Sequence, residues 1–221
     1  MTPIPGKIKS SLTVELVGRG IVKLGPNEHV ATGGEGSVYK LLPNTMVKIY
    51  LNPKKMQDDG MVEKLKLLQT IKHPFIVAPQ GLVYEKNNPV GYYMNFEPGE
   101  PLARIFTTSY RQRENFTDKH SIQLVDGMHS VLQTAHANHA LLVDANEFNW
   151  LVAKTKKSVE PRSIDVDSWS IGKWKPSVIM PSIRDWHAHG FTQQSDWFSF
   201  AVVSFQVFTG IHPYKGMLPG Y

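Results

Sequence analysis

Short runs of β-branched and aromatic residues, separated by Gly, Pro and Asn, dominate the first part of the chain. Such runs are typical of β-strands bounded by turns. The pattern predicts strands over residues 11–17, 20–24, 38–42, 45–50, 75–84 and 89–96. Pro43-Asn44 separates two of these strands and predicts a tight hairpin. One helix is predicted over residues 58–71, where apolar side chains recur at helical spacing before Pro74.

A different pattern follows the connector Glu97-Pro98-Gly99-Glu100-Pro101. Short strands are predicted at 150–152 and 163–164, on either side of a basic loop. Residues 196–209 predict a buried helix that ends at Gly210. Residues 118–137 predict a long amphipathic helix. Six apolar side chains are predicted on its inner face: Ile122, Val125, Met128, Val131, Leu132 and Ala135. The expected fold class is therefore α+β, with a sheet plus one helix in residues 1–97 and a mainly helical region in residues 98–221.

The composition excludes several kinds of site and makes some binding partners unexpected. The 221 residues are 41% hydrophobic and 19% charged, which is ordinary for a globular protein. The net charge of +5 favours anionic ligands only mildly. Because the basic residues are scattered and no RNA-binding motif accompanies them, we expect no nucleic-acid partner. The absence of cysteine excludes disulfides, thiolate zinc sites and cysteine nucleophiles.

The sequence also carries expectations about location. Residues 1–7 lack the apolar core of a signal peptide. No stretch of the sequence reaches the roughly 18 apolar residues that a membrane span needs. We therefore expect a cytoplasmic protein with no membrane partner.

A glycine-rich turn, Gly33-Gly34-Glu35-Gly36, precedes Ser37 and Val38, and Lys48 lies further along between Val47 and Ile49. Glycines let main-chain N–H groups approach a polyphosphate closely. A strand lysine with apolar neighbours is placed to reach the same phosphates as a point charge. The combination indicates a nucleotide site.

Acidic and amide side chains recur later in the chain. Asp144 follows an apolar run, and Asn149 comes five residues after it. Asp165 and Asp167 lie at the end of a predicted strand. Hard divalent cations such as Mg²⁺ prefer oxygen ligands, and a further carboxylate can accept a hydroxyl proton.

The order of these motifs resembles the protein-kinase-like superfamily over about residues 28–215. The glycine-rich turn is similar to the kinase glycine-rich loop, and Lys48 to the kinase strand lysine. Met94-Asn95-Phe96 resembles the gatekeeper and the start of the hinge, whose backbone would hydrogen-bond an adenine. Asp144 and Asn149 keep the D-x-x-x-x-N spacing of the catalytic loop, and Asp165 resembles the aspartate of D-F-G.

The resemblance implies a bilobal kinase fold that binds ATP and Mg²⁺ and transfers a phosphoryl group. Lys48 would hold the α- and β-phosphates, which the turn residues 33–36 would cover. Asn149 and Asp165 would bind Mg²⁺, and Asp144 would accept the proton of the attacking hydroxyl. Asp167 stays an alternative or second metal ligand.

The departures from the family pattern suggest an atypical, bacterial- or phage-type Ser/Thr kinase. Leu142-Val143 replaces the His-Arg before the catalytic aspartate, and Asn146 replaces a lysine. The helix glutamate that pairs with the strand lysine is expected at Lys64, whereas Glu63 lies one position away. A Lys48–Glu63 ion pair is the expectation that follows. The helical region also reads as a shortened C-lobe.

Three functions remain open from the sequence. The first is transfer of the ATP γ-phosphate to Ser or Thr hydroxyls of an unidentified protein. The second is a pseudokinase scaffold that binds nucleotide or a partner without turnover, as the missing His-Arg and the shifted glutamate suggest. The third is a small-molecule kinase, which Asn146 and Ile164-Asp165 suggest.

Overall fold

The computed structural model describes residues 11–155, 158–175 and 179–216. Three expectations concern residues outside this range: that residues 1–7 are not a signal peptide, that residues 156–157 belong to a basic loop, and that residues 217–221 end a shortened C-lobe. The described chain is a mixed α+β protein that divides into two compact units. Unit 1 comprises the described residues up to Lys72 together with Ala78–Glu97. Unit 2 comprises His73–Val77 and the described residues from Pro98 onwards.

Unit 1 is built on a seven-stranded antiparallel sheet in the order β2-β1-β6-β7-β5-β4-β3. Its strands are β1 Leu12–Leu16, β2 Gly20–Leu24, β3 His29–Thr32, β4 Gly36–Leu41, β5 Thr45–Tyr50, β6 Gly81–Glu85 and β7 Asn88–Asn95. The predicted hairpin at Pro43-Asn44 is present, since β4 and β5 pair from Gly36↔Tyr50 to Leu41↔Thr45. The strand β3 was not predicted from the sequence.

Two apolar clusters hold this sheet. Val47 and Ile49 of β5 belong to the first cluster, which contains only strand residues. Tyr50 belongs to the second cluster, together with Met56 and Leu65 from the helices. Because successive side chains of a strand point to opposite faces, Lys48 lies on the helix side of the sheet.

Within the predicted helix over residues 58–71 the structure forms α2 Met61–Leu68, and a separate helix that was not predicted, α1 Pro53–Asp58, precedes it. The break occurs at Gly60, whose φ of +68° is incompatible with a continuous helix. The helix α1 begins at Pro53 because Asn52 caps it, accepting the Lys55 N–H over 2.9 Å, and proline occupies its first turn. The periodic apolar pattern therefore located α2 and concealed the turn before it.

The predicted strand over residues 75–84 is correct only in its last part, β6. Residues 75–77 instead pair with Ser163 in unit 2, where Val77 N–H donates to Ser163 O over 2.9 Å and Ser163 N–H donates to Phe75 O over 2.7 Å. Pro79, which lacks an N–H group, stands between the two segments and cannot continue the ladder.

Unit 2 contains three α-helices, two small sheets and three short 3₁₀ turns among its described residues. The helices are α3 Thr108–Arg113, α4 Asp118–Ala137 and α5 Gln193–Thr209. The strands are β8 Glu100–Pro101, β9 Ala140–Leu141, β10 Trp150–Lys154, β11 Val159–Ser163 and β12 Ser170–Ile171, paired in the orders β11-β10-β8 and β12-β9. The 3₁₀ turns are Leu102–Phe106, Val166–Ser168 and Pro181–Ile183.

The long helix α4 is present, and four of the six predicted inner residues are buried, namely Met128, Val131, Leu132 and Ala135. Ile122 is 51% exposed, and Ser121, Leu124 and Gly127 are buried instead. The reason is close packing: a Cβ on Gly127 would lie 2.6 Å from the Pro161 ring of β11. The small residues Ser121 and Gly127 therefore face the core beside the larger side chains that the sequence predicted.

The predicted buried helix is α5, and it ends as expected at Gly210, whose φ is +75°. In the part of the chain that the structure describes, no helix combines the length and apolarity required to cross a bilayer.

Candidate active site

The glycine-rich turn connects β3 to β4 in unit 1. Gly33 N–H donates to Gly36 O over 2.9 Å, and a hydrogen bond of 2.8 Å joins the hydroxyls of Thr32 and Ser37 at its base. Leu51 N–H donates to Glu35 O over 2.9 Å and fixes the tip of the turn to the end of β5. The turn is therefore closed by its own hydrogen bonds.

The glycines of this turn have different structural roles. A Cβ on Gly36 would lie 2.8 Å from the carbonyl oxygen of Ile49, whereas one on Gly34 would meet no atom within 4 Å. Gly36 is thus required by the close approach of β5. The main-chain N–H groups of Gly34 and Glu35 donate to no described residue, so they remain available to an anion.

Lys48 lies directly across the ladder from Val38, and its side chain is 6% exposed. Its ammonium nitrogen lies 5.7 Å from the centroid of the Tyr50 ring. The structure therefore brings the turn, Val38 and Lys48 onto two neighbouring strands. Lys48 sits among the aromatic side chains on the helix side of the sheet.

The expected Lys48–Glu63 ion pair is not formed in the described part of the chain. Glu63 lies on the exposed face of α2 and makes no hydrogen bond or ion pair with a described residue, whereas Lys64 is only 4% exposed. The physical reason is the helix phase: one residue turns a side chain by about 100°. The inward position is the one that family spacing assigns to the glutamate, and a lysine occupies it.

Met94, Asn95 and Phe96 lie at the end of β7. Met94 packs against the helix-side cluster, and Asn95 is exposed and pairs with Thr45. Phe96 N–H donates to Asn44 O over 3.0 Å, so this amide is already used within unit 1. The Phe96 ring lies under the Lys40 ammonium group, 3.6 Å from its centroid.

Asp144 and Asn149 occupy one loop of unit 2, between β9 and β10. The Asn149 side-chain amide donates to Asp144 O over 2.7 Å. Asp144 Oδ1 accepts the Met180 N–H over 2.8 Å, and its Oδ2 has no described partner. The loop therefore presents one unengaged carboxylate oxygen at the position where the sequence places a base.

Asp165 is joined to this loop through its neighbour. Ile164 N–H donates to Asn149 O over 3.0 Å, which places Asp165 at the end of β11 beside Asn149. Asp165 has a φ of +58° and starts the short turn Val166–Ser168, in which Asp167 is 2% exposed. Three of the predicted site residues, Asp144, Asn149 and Asp165, are thus brought together in unit 2.

Asp196 binds the main chain just before Asp144 and supports that loop, a role that was not predicted from the sequence. Its carboxylate accepts Leu142 N–H over 2.8 Å, Val143 N–H over 2.9 Å and the His136 ring N–H at 2.9 Å. Burial raises the pKa of Asp196 above its ordinary value, and the hydrogen bonds from His136 and from the two amides oppose that shift. An acid in the first turn of an otherwise apolar helix was the available signal.

The donor set of this loop suits a hard cation. Because Nδ2 of Asn149 is used by Asp144 O, the amide oxygen Oδ1 is left without a described partner. That oxygen and the neighbouring carboxylate of Asp165 are the ligand types that Mg²⁺ prefers. Within the described ranges there is no group of three or more His, Asp or Glu side chains arranged to hold a metal ion.

No protein-family model matches the chain. The chain is 23% identical to MDIS1-interacting receptor like kinase 2 of Arabidopsis thaliana over 232 aligned positions, which cover 94% of this chain. The alignment covers 21% of the plant protein, so the chain spans about a fifth of that relative's length. The similarity is to a kinase and supports a distant protein-kinase-like relationship.

Proposed function

We propose that the protein is an ATP- and Mg²⁺-dependent phosphotransferase of the protein-kinase-like type, with unit 1 as its N-lobe and unit 2 as its C-lobe. Its acceptors are Ser or Thr hydroxyls of proteins. The observation that carries the proposal is the unit 2 loop. Asn149 is tied to Asp144, Asp165 follows the residue bonded to Asn149, and one oxygen of Asp144 has no described partner.

Each residue has a defined task under this proposal. The unengaged N–H groups of Gly34 and Glu35 and the ammonium of Lys48 bind phosphate oxygens. Asn149 and Asp165 hold Mg²⁺, which would neutralise charge on the transferred phosphoryl group. Asp144 Oδ2 accepts the hydroxyl proton, while Oδ1 stays fixed by Met180.

The direct test compares wild type with Asp144→Asn in an assay with labelled ATP, Mg²⁺ and a mixture of protein acceptors. Asp126→Asn is the matched control, because Asp126 is exposed on α4 and has no hydrogen bond or ion pair to a described residue. We expect Asp144→Asn to lose at least about a hundredfold in transfer, the usual weight of a general base, and the control to keep full activity. Equal labelling by all three proteins would refute the role of Asp144.

One observation favours the pseudokinase as the second candidate. Lys64 occupies the buried face of α2 and Glu63 the exposed face, so a lysine stands at the inward position where family spacing expects the glutamate. A thermal-shift titration with ATP and Mg²⁺ tests this candidate. Stabilisation by ATP in wild type, with no transfer to any acceptor, would support the pseudokinase over the enzyme.

A further inference from the structure

A surface pocket of about 640 Å³ lies within unit 2, next to the loop that carries Asp144. Three segments form its walls: residues 180–187, Phe198 of α5, and residues 212–215. Among the described residues, no aspartate or glutamate lines it. Its lining combines two permanent cations with three large aromatic rings, namely Arg184, Lys215, Trp186, Phe198 and Tyr214.

The walls are fixed to one another. His212 Nε2–H donates to Ser182 O over 2.9 Å, and His212 Nδ1 accepts the Tyr214 N–H over 3.1 Å. The rings of Phe198 and Tyr214 stack in parallel, with centroids 6.1 Å apart and an interplanar angle of 7°. The pocket is therefore preformed, which lowers the entropic cost of ligand binding.

Neither cation of the pocket is paired with an acidic side chain of the described residues. The side chains of Arg184 and Lys215 make no hydrogen bond or ion pair with a described residue, and the Arg184 guanidinium carbon lies 4.6 Å from the centroid of the Trp186 ring. The nearby carboxylate of Asp185 accepts the N–H of His187 and is not part of the lining. Trp186 and Tyr214 are also 66% and 69% exposed. An anionic ligand with some apolar surface complements this combination.

The position of the pocket selects the ligand. Met180, which lines it, donates its N–H to Asp144 Oδ1 over 2.8 Å. Arg184 lies four residues further along, and one residue of extended chain spans about 3.5 Å. A peptide whose hydroxyl sits at Asp144 would therefore bring its flanking residues to Arg184, namely those within about four positions of the phosphorylated residue.

We propose that this pocket binds acidic side chains that flank the phosphorylated hydroxyl of a protein substrate, with Arg184 and Lys215 as the specificity-determining residues. The inference rests on the proposed phosphotransfer at Asp144. Basic and aromatic side chains also bind single-stranded nucleic acids. The peptide is favoured because the pocket adjoins Asp144 and offers only two permanent cations, too few to follow a phosphate backbone.

The test uses two short peptides with a central serine, flanked on both sides by glutamate in one and by glutamine in the other. The variant Arg184→Glu/Lys215→Glu is compared with Lys23→Glu/Lys119→Glu, which changes the net charge equally at exposed lysines that have no described ion pair. For the glutamate peptide we expect kcat/KM to fall about tenfold or more in the pocket variant, the loss typical of hydrogen bonds to charged groups. The glutamine peptide and the control variant should show no such fall.

A second measurement separates this inference from the proposed function. Fluorescence anisotropy follows binding of the glutamate peptide with alanine in place of serine, which requires no turnover. Charge-dependent binding with no phosphorylation of the serine peptide would leave the pocket standing and reject the enzyme. Phosphorylation of both peptides at equal rates would reject the pocket, as would displacement of the peptide by lower concentrations of oligouridylate than of free glutamate peptide.

Discussion

The Oδ1 atom of Asp196 accepts the main-chain N–H of Val143 over 2.9 Å. Val143 has a φ of +59°, an unusual conformation for a β-branched residue, and it immediately precedes Asp144. The neighbouring Leu142 N–H is bound by Oδ2 of the same carboxylate. A buried acid at the start of α5 thus holds a strained turn in the position that aims Asp144.

We expect Asp196→Ala to lower the free energy of unfolding by about 3 kcal/mol, since two buried main-chain donors each lose an acceptor. Transfer activity should fall with it, because the turn before Asp144 is released. Urea unfolding measures the first effect. Asp126→Ala, an exposed carboxylate on α4, is the control and should change stability by less than about 0.5 kcal/mol. An Asp196→Ala variant that keeps both its stability and its activity would show that the turn holds without its acceptor.

The raised pKa of Asp196 predicts a pH dependence of stability. A folded-state pKa above the unfolded value means that the native state binds more protons in this window, so stability declines as pH rises from the ordinary value of 3.8 through the raised pKa, and then levels off. We expect the difference in unfolding free energy between wild type and Asp196→Asn to follow that decline. The carboxyl ¹³C shift of Asp196 should titrate above 3.8. A titration below that value would contradict burial as the dominant cause.

The two glycines at the turn give a matched pair of variants. Gly36→Ala places a Cβ 2.8 Å from Ile49 O, whereas Gly34→Ala meets no atom within 4 Å. Gly36→Ala should therefore destabilise the protein by about 1–3 kcal/mol, and Gly34→Ala by much less. Thermal unfolding of both variants measures the difference. Similar losses at the two positions would mean that the glycines serve flexibility rather than close approach.

The position of Glu63 predicts that it contributes little to nucleotide binding. Lys48→Met should weaken ATP binding about tenfold or more, because a buried ammonium beside the turn is lost. Glu63→Gln should leave affinity within about twofold, as expected for an exposed charge that forms no ion pair with a described residue. Isothermal titration with ATP and Mg²⁺ distinguishes the two. A large effect of Glu63→Gln would mean that the ion pair forms on binding.

Local structure was predictable from the sequence wherever the residues of one short segment determine it. The hairpin at Pro43-Asn44 and the end of α5 at Gly210 follow from turn and cap residues alone. The start of the predicted helix 58–71 was wrong, because the apolar spacing begins only at Met61 and Gly60 has a positive φ. The face of α4 depends on the approach of Pro161 to Gly127, a contact between residues far apart in sequence.

In the candidate site, too, contacts within one segment were predictable and contacts between distant segments were not. The spacing of Asp144 and Asn149 fits the side-chain hydrogen bond found between them, since both residues lie in one loop. The support from Asp196 joins residues more than fifty positions apart, and spacing carries no information about such a contact. The choice between Glu63 and Lys64 depended on helix phase, and the inward face of α2 carries Lys64 together with Leu65 and Leu68.

Asn149 has two functions that substitution can separate. Its Nδ2 fixes Asp144 O over 2.7 Å, and its Oδ1 is the proposed Mg²⁺ ligand. Asn149→Asp retains the oxygen ligand but opposes the Asp144 carbonyl with a negative charge, so we expect kcat to fall about tenfold to a hundredfold while the Mg²⁺ concentration for half-maximal activity stays level or falls. Asn149→Ala loses both functions, so its Mg²⁺ requirement should also rise. Initial rates over a Mg²⁺ titration at saturating ATP measure both quantities. If the two variants share one Mg²⁺ requirement, Asn149 positions Asp144 and does not bind the metal.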